Sequence, residues 1–245
     1  MHVLVTRPEA DAAELKAALE AQEHEVTVEP LLAIEPMPID SGALAGARGV
    51  IATSRNGLRA LVQSAALAQA MKLPIFAVGS ATSELARELG FWHVIAGDGS
   101  AGDLASLILG SELSGSGPLV HVAGEKVAFD LAAELGRHGI EVRVVTAYRA
   151  VAAPSFSPHT ARAIADGTLG AVILMSPRTA ATFAALVGKG GLEEPTRRLA
   201  FVCLSANVAD ALSGLAPANV NIAVRPNSSA ILDAVGRVAT HSSGV

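Results

Sequence analysis

Two stretches of this sequence repeat one arrangement of hydroxyl and basic side chains. The apolar run in "GVIATSRNGLRAL" ends in Thr53, Ser54 and Arg55, and a helix-like run follows. The run in "AVILMSPRTAATFAAL" ends in Ser176 and Arg178, again before a helix-like run. Helix starts present free N–H groups and a partial positive charge, so side chains there can bind an anionic ligand. Helix capping accounts for the two serines but leaves the arginine after each unexplained.

Tyr148 is the only tyrosine and lies in "TAYRAV", within a long extended stretch. Phenols ordinarily titrate near pH 10, so such a group suits a hydrogen-bond donor or general acid. The alternative is a half-buried strand aromatic. Arg7, at the end of the first strand, is a further candidate for an anionic ligand or forms a surface salt bridge. Lys126, after "HVAGE", either contacts a carboxylate or is solvated.

The residue types and their spacing give little indication of a zinc site, a catalytic serine or a catalytic cysteine. The seven histidines show no zinc-ligand spacing, and no G-x-S-x-G motif is present. The single cysteine, Cys203, lies in the apolar run "LAFVCLS" and is read as a small buried residue, with a nucleophile as the alternative. We therefore expect no metal site. One cysteine allows no disulfide within the chain, which fits a reducing compartment.

The composition limits the possible partners. The 245 residues are 51% apolar and 17% charged, which is typical of a folded chain with one large core or two ordinary ones. The formal net charge is −5 without a basic run, so we expect neither a nucleic-acid nor an anionic-membrane partner. No apolar run approaches a membrane span, and Arg and Glu follow too early for a signal peptide. We expect a cytoplasmic protein.

Strand-like and helix-like runs alternate along the chain, which predicts an α/β fold with parallel sheets covered on both faces. Strands are predicted at 2–5, 49–53, 74–79, 93–97, 118–124, 170–176, 198–204 and 219–224, and the stretches 25–36 and 141–151 are predicted to be extended. Helices are predicted at 10–22, 54–68, 80–89, 101–110, 126–138, 178–188, 205–215 and 228–240.

The predicted strands and helices can be aligned in two rows, that is, two sets of elements with matching patterns. This predicts two copies of one unit with about five strands each. The alternative is that βα units resemble one another generically. Two long extended stretches end in Pro36 and Pro154, and each could cross between domains; a tandem split near the "SGSG" break at 114–117 is the alternative. The crossing arrangement has one domain of 1–34 and 155–245, an inserted domain of 38–149, and linkers at 35–37 and 150–154.

Five motifs in order, "VLVTRPE", "IATSRNGLRAL", "AVGSATSELARELGF", "GIEVRVVTAYRAV" and "SPRTAATFAAL", resemble the uroporphyrinogen-III synthase family over essentially the whole chain. The resemblance implies two flavodoxin-like domains joined by a two-stranded ladder, the first built from both chain ends, with a cleft between them. The expected substrate is hydroxymethylbilane, a linear tetrapyrrole with eight carboxylates. Its terminal hydroxyl leaves as water and its last ring is inverted, without metal or redox cofactor, in an enzyme expected to be monomeric.

The resemblance also assigns roles to residues. It implies that Tyr148 donates a hydrogen bond to the departing hydroxyl and that Thr82, in "GSATSE", places a hydroxyl in the cleft. The sequence departs from the family at "SANVADAL", where a Gly-Pro-x-Thr-type turn is common. The threonine position falls on Val208, so that hydroxyl is dispensable or is replaced by Ser205 or Asn207.

Two rival functions remain at this point. "GDGSAG" (97–102) fits G-x-G-x-x-G between a strand and a helix, which would indicate a nucleotide-binding oxidoreductase. However, the motif does not follow the first strand, and its counterpart "RPNSSA" contains no glycine. The second rival is a non-catalytic two-domain protein that closes on a small molecule.

Overall fold

The computed structural model describes residues 1–111, 116–127 and 129–242. The chain divides into two compact units. Unit 1 consists of Met1–Ala33 with Val151–Val245, and unit 2 consists of Ile34–Ala150. The predicted "SGSG" break at 114–117 lies within unit 2, and its first two residues lie outside the described residues.

The strands are β1 (His2–Val5), β2 (Glu25–Val28), β3 (Leu32–Pro36), β4 (Gly49–Ala52), β5 (Ile75–Ala77), β6 (Val94–Ala96), β7 (Leu119–Gly124), β8 (Val142–Ala152), β9 (Ala171–Leu174), β10 (Ala200–Cys203) and β11 (Asn219–Ile222). The helices are α1 (Glu9–Glu20), α2 (Arg55–Val62), α3 (Leu67–Ala70), α4 (Ser80–Glu88), α5 (Ala101–Gly110), α6 (Leu131–Gly136), α7 (Pro158–Ala165), α8 (Pro177–Gly190), α9 (Glu193–Thr196), α10 (Ala206–Asp210) and α11 (Ser228–Ser242), and a 3₁₀ turn spans Ser213–Leu215.

Unit 1 is built on a five-stranded sheet in the order β11-β10-β9-β1-β2, with parallel neighbours throughout. Successive strand residues point to opposite faces. Leu4 therefore packs with Phe183 and Phe201 on the face covered by α7, α8 and α10, while Val3 and Val5 pack against α1 and α11 on the other. Each fully buried side chain of this size contributes about 1.5–3 kcal/mol relative to leaving it in water.

Unit 2 contains a six-stranded sheet in the order β3-β8-β7-β4-β5-β6. The pairs from β8 to β6 are parallel. Val50 and Ala52 face a layer that includes α2 and α4, whereas Ile51 faces α5 and α6. Both sheets are thus covered on both faces, and the predicted α/β class is confirmed, with one parallel sheet and one mixed sheet.

Strand β3 runs antiparallel to β8. The Met37 N–H donates to the Ala147 carbonyl at 2.8 Å, and the Ala153 N–H donates to the Leu31 carbonyl at 3.0 Å. The partner numbers change in opposite directions along the pair, as an antiparallel ladder requires. The boundaries between the two units fall inside these strands, after Ala33 and after residue 150.

The two units share one strand order. In unit 1, numbered along its own chain, the strands lie in the order 2-1-3-4-5, which is the flavodoxin order. In unit 2 the same order appears when β7 and β8 are counted first and β4, β5 and β6 follow. The predicted correspondence between the two rows is confirmed at the level of strand order, because β7 and β8 match β1 and β2.

The stretch 25–36, predicted to be extended, contains the two strands β2 and β3, and Pro30 between them has no N–H to pair in a ladder. Several predicted helix boundaries were wrong. The helix predicted at 54–68 stops at Val62, where the Ser64 hydroxyl donates to the Leu61 carbonyl at 2.7 Å and competes with the helix. Helices α7 and α9 were not predicted.

The helix predicted at 126–138 begins only at Leu131, so Lys126 precedes it instead of opening it. The Asp130 side chain accepts the Ala133 N–H at 2.9 Å and caps the helix there. The helix predicted at 205–215 is a short helix followed by the 3₁₀ turn. Within the described ranges, no helix combines the length and the apolar character that crossing a membrane requires.

Candidate functional site

The carboxyl ends of the parallel strands in unit 2 surround a cavity of about 300 Å³. Open parallel sheets place ligands at this edge. It is lined by Thr53, Ser54, Val78, Gly99, Ala101, His121, Gly124, Lys126, Val127, Phe129 and Tyr148. Four of the predicted site residues therefore meet here: Thr53 and Ser54 after β4, Lys126 after β7, and Tyr148 on β8.

Ser54 and Tyr148 form a hydrogen-bonded pair in this cavity. The Ser54 Oγ lies 2.9 Å from the Tyr148 Oη and donates to it. The same Oγ accepts the Gly57 N–H at 3.1 Å, so Ser54 is also the N-cap of α2. Within the described ranges the Tyr148 hydroxyl makes no other hydrogen bond, so its own proton remains available to a ligand. Capping and cavity lining are thus compatible roles for Ser54.

A change of register in the β7–β8 pair holds Tyr148 against the backbone of Gly124. Ala123 pairs with Thr146, but Gly124 pairs with Tyr148, which marks a β-bulge. A Cβ on Gly124 would lie 2.8 Å from the Tyr148 Cζ and 2.9 Å from its Oη. The Glu125 N–H donates to the Tyr148 carbonyl at 2.9 Å. The aromatic ring therefore occupies the space that any other residue at position 124 would need.

Thr53 forms a second pair with His121, which the sequence did not single out. The Thr53 Oγ1 lies 2.9 Å from the His121 Nε2, and the histidine is only 2% exposed. Burial lowers the pKa of His121 to about 4, with Asp130 acting weakly in the opposite direction. The imidazole is therefore neutral near pH 7. The available signal was one polar residue inside the apolar run "LVHVAG".

Apolar side chains complete the cavity. Val78 follows β5, while Val127 and Phe129 lie between β7 and α6. Val127 and Phe129 are 50% and 39% exposed, in contrast to the buried His121. The cavity thus combines a hydroxyl-rich interior with apolar side chains near solvent, as small-molecule sites commonly do.

Two residues predicted for the same site do not line this cavity. Arg55 is the first residue of α2 and is partly buried. Thr82 lies in the first turn of α4 and is 6% exposed. Their predicted roles in ligand binding are not tested by this arrangement and stay predictions.

In unit 1, three predicted residues follow neighbouring parallel strands. Arg7 comes after β1, Ser176 after β9 and Ser205 after β10. The Ser176 Oγ accepts the Thr179 N–H at 3.1 Å and caps α8. Arg7 Nη2 lies 3.9 Å from a carboxylate oxygen of Asp11, which agrees with the salt-bridge alternative. Each of these contacts is local.

The turn that departs from the family pattern contributes one core residue. Val208 is 1% exposed and packs in the core of unit 1, so it offers no polar atom. Asn207 is exposed, and Ser205 makes no capping hydrogen bond to α10. Arg178 is the second residue of α8 and is partly buried. The roles of Ser205, Asn207 and Arg178 in ligand binding stay predictions.

Cys203 lies in the core of unit 1 and is fully buried. Burial raises the pKa of its thiol to about 11, so the reactive thiolate is rare near neutral pH. In the described part of the chain, no three His, Cys, Asp or Glu side chains are grouped closely enough to hold one metal ion.

Comparison with known proteins gives one family and several similar folds. The family model described as uroporphyrinogen-III synthase HemD matches residues 13–233. The uroporphyrinogen-III synthetase from Helicobacter pylori has a TM-score of 0.67 at 15% identity, covering 97% of this chain and 99% of that chain. A mutant uroporphyrinogen III synthase from Thermus thermophilus has a TM-score of 0.58 at 19% identity, covering 98% and 99%. No curated protein sequence gives a significant match.

Proposed function

The chain belongs to the uroporphyrinogen-III synthase family, and on this premise we propose that the unit 2 cavity holds the reacting end of the substrate. The enzyme is a cyclising lyase of haem biosynthesis. It closes hydroxymethylbilane to uroporphyrinogen III with inversion of ring D and loss of water. The resemblance stated from the sequence motifs is confirmed, and neither rival function is supported by the comparisons.

We propose that Tyr148 is the general acid for the departing hydroxyl. The observation that carries this proposal is the 2.9 Å hydrogen bond that the Ser54 hydroxyl donates to the phenol oxygen of Tyr148. The phenol proton can then be donated to the substrate hydroxyl as the carbon–oxygen bond breaks and water leaves. The Ser54 donor also stabilises the negative charge that develops on the phenol oxygen. The proton that the attacking ring loses on closure balances the one consumed.

The substrate carboxylates need donors, because a net charge of −5 does not attract them. We propose that Thr53 and Lys126 bind carboxylates near the reacting ring. Support for this comes from their common position around one cavity at the strand ends. Arg7, Arg55, Thr82, Ser176, Arg178, Ser205 and Asn207 are proposed for the other carboxylates, on the sequence pattern and the resemblance alone.

The finer domain description is also a proposal. We propose two flavodoxin-like domains joined by a two-stranded linker at 35–37 and 150–154. The strand orders of the two sheets and the passage of the chain between units inside β3 and β8 support it. A cytoplasmic, monomeric enzyme without a cofactor remains the expectation from the sequence.

The test is the isomer composition of the product. Purified protein is incubated with hydroxymethylbilane, the product is oxidised, and the type III and type I porphyrins are separated by chromatography. We expect type III to exceed the type I formed spontaneously. Only type I, at the rate seen without protein, would contradict the function.

The role of Tyr148 is tested with Tyr148→Phe, which removes one oxygen atom and keeps the ring. We expect the turnover number to fall by about 10²–10⁴-fold, the usual contribution of a general acid. The melting temperature should change by only a few degrees, because one half-buried hydrogen bond contributes about 1 kcal/mol. A melting-temperature loss that accounts for the whole activity loss would refute the catalytic role.

A further inference from the structure

His121 is a polar residue in a position that apolar residues usually occupy. It lies within β7, paired with Ile51 on one side and Val144 on the other. The side chain is 2% exposed, and its one hydrogen bond among the described residues is to Thr53 at 2.9 Å. Burying such a group costs free energy that a valine or leucine would not require. The interaction with Thr53 is therefore the feature of this histidine that needs an explanation.

The hydroxyl of Thr53 can act towards a ligand in two ways, and the imidazole decides between them. If Nε2 carries the lone pair, Thr53 donates to it and offers only lone pairs to the cavity. If Nε2 carries the proton, it donates to Thr53, and the threonine proton is free for the ligand. The ring has one proton to place, because burial lowers its pKa to about 4 and keeps it neutral.

A ligand rich in carboxylates needs the second arrangement. A carboxylate can only accept hydrogen bonds. If the Thr53 hydroxyl donated its proton to His121, it would have no proton to offer the carboxylate, and the two groups could not form a hydrogen bond. Thr53 lines the same cavity as Ser54 and Tyr148, where the substrate is placed by the proposed function. A hydroxyl that is already oriented avoids the cost of ordering it when the ligand binds.

We propose that His121 is a positioning residue: its Nε2–H donates to the Thr53 oxygen and directs the threonine proton to a substrate carboxylate. This inference rests on the proposed function, because the ligand must be an anion in this cavity. His121 also lines the cavity, but its proposed role does not require contact with the substrate. Its effect is exerted on binding through Thr53, so it should appear mainly in KM.

The first test is spectroscopic and needs no substrate. Long-range ¹H–¹⁵N NMR of the ¹⁵N-histidine-labelled protein reports which ring nitrogen carries the proton, and His121→Gln assigns the signal. We expect the Nε2–H tautomer at pH 7. An Nδ1–H tautomer or a protonated ring at this pH would overturn the proposal.

The second test is a double-mutant cycle with hydroxymethylbilane as the probe. His121→Phe keeps a ring without a donor, and Thr53→Val keeps the shape without a hydroxyl. We expect each change to raise KM about tenfold with kcat within about threefold, and the double variant to be no worse than either. His121→Gln, whose amide can still donate, should restore KM to within about threefold.

A matched control separates positioning from stability. Thr160 lies in unit 1 and is 1% exposed. Thr160→Val removes its hydroxyl, and this substitution should lower the melting temperature without changing KM. If His121→Phe behaves like this control, or if the two KM effects multiply in the double variant, the inference fails while the proposed function stands. A wild-type protein that forms no type III isomer would overturn both.

Discussion

Replacing Gly124 by alanine should displace the Tyr148 ring and impair its catalytic role, although the tyrosine itself is unchanged. The new Cβ would lie 2.8 Å from the Tyr148 Cζ and 2.9 Å from its Oη, whereas ordinary contacts begin at 3.4 Å. The ring must therefore move by at least about 0.6 Å, or the bulge in β7 must open. Either movement disturbs the 2.9 Å hydrogen bond between Ser54 and Tyr148.

The expected loss can be estimated from this displacement. A misplacement of about 1 Å in an active site can cost about 100-fold in rate. For Gly124→Ala we expect kcat to fall by about 10- to 100-fold, which corresponds to about 1.4–2.7 kcal/mol of activation free energy. The folded protein should survive, because the ring is half-buried and lines a cavity into which it can shift.

The assay is the initial rate of type III formation, with melting temperature measured on the same samples. Gly102→Ala is the matched control, because its new Cβ would meet nothing closer than the Ser100 Oγ at 3.7 Å. This control should retain the wild-type rate. The reasoning is refuted if Gly124→Ala keeps the wild-type kcat, or if it costs the same factor in a Tyr148→Phe background, where no phenol remains to be displaced.

Three further outcomes follow from buried or half-buried groups. The folded-state pKa of His121, about 4, lies below its ordinary value near 6.5, so protonation favours the unfolded chain. The contribution of the neutral imidazole to the free energy of unfolding should be complete above about pH 6.5, and about 3 kcal/mol of it at most should be lost as the pH falls towards 4. Denaturant unfolding of His121→Gln should therefore show a free energy of unfolding that depends less on pH than that of the wild type. Equal pH dependence in the two proteins would contradict this prediction. The Glu29 carboxylate accepts hydrogen bonds from the Ser157 N–H at 2.6 Å and from the hydroxyls of Ser157 and Thr160 at 2.7 and 2.8 Å. Glu29→Gln should therefore lower the free energy of unfolding by about 1–3 kcal/mol, because these hydrogen bonds lose their charged acceptor. An unchanged midpoint of urea unfolding would contradict this prediction. Native Cys203 should react with a thiol reagent at least about 100-fold more slowly than in denaturant, and comparable rates would show that the thiol is accessible.

The pattern along the chain predicts most of the fold because the relevant signals are local. The spacing and number of apolar residues identify the strands, and capping residues such as Ser54 and Ser176 identify the helix starts. The matching order of the two rows also predicts the shared strand order. Boundaries were missed where a side chain intervened, as with Asp130, which caps α6 five residues later than predicted.

The candidate site was predicted in part. Tyr148 and Ser54 stood out, one as the only tyrosine and the other as a repeated cap. Gly124 and His121 did not, because a glycine ending a strand and a histidine inside one have many ordinary explanations. Neither residue type indicates by itself that it lies against a particular partner.

What the sequence determined alone is the α/β class, the repeat and the kind of residue at each strand end, because these depend on neighbours along the chain. What the tertiary structure decided is which of those residues meet. Ser54 and Tyr148 are 94 positions apart, and Thr53 and His121 are 68 apart. Their pairing depends on the order of β4, β7 and β8 in the sheet and on one bulge, and these arise only when the strands pack together.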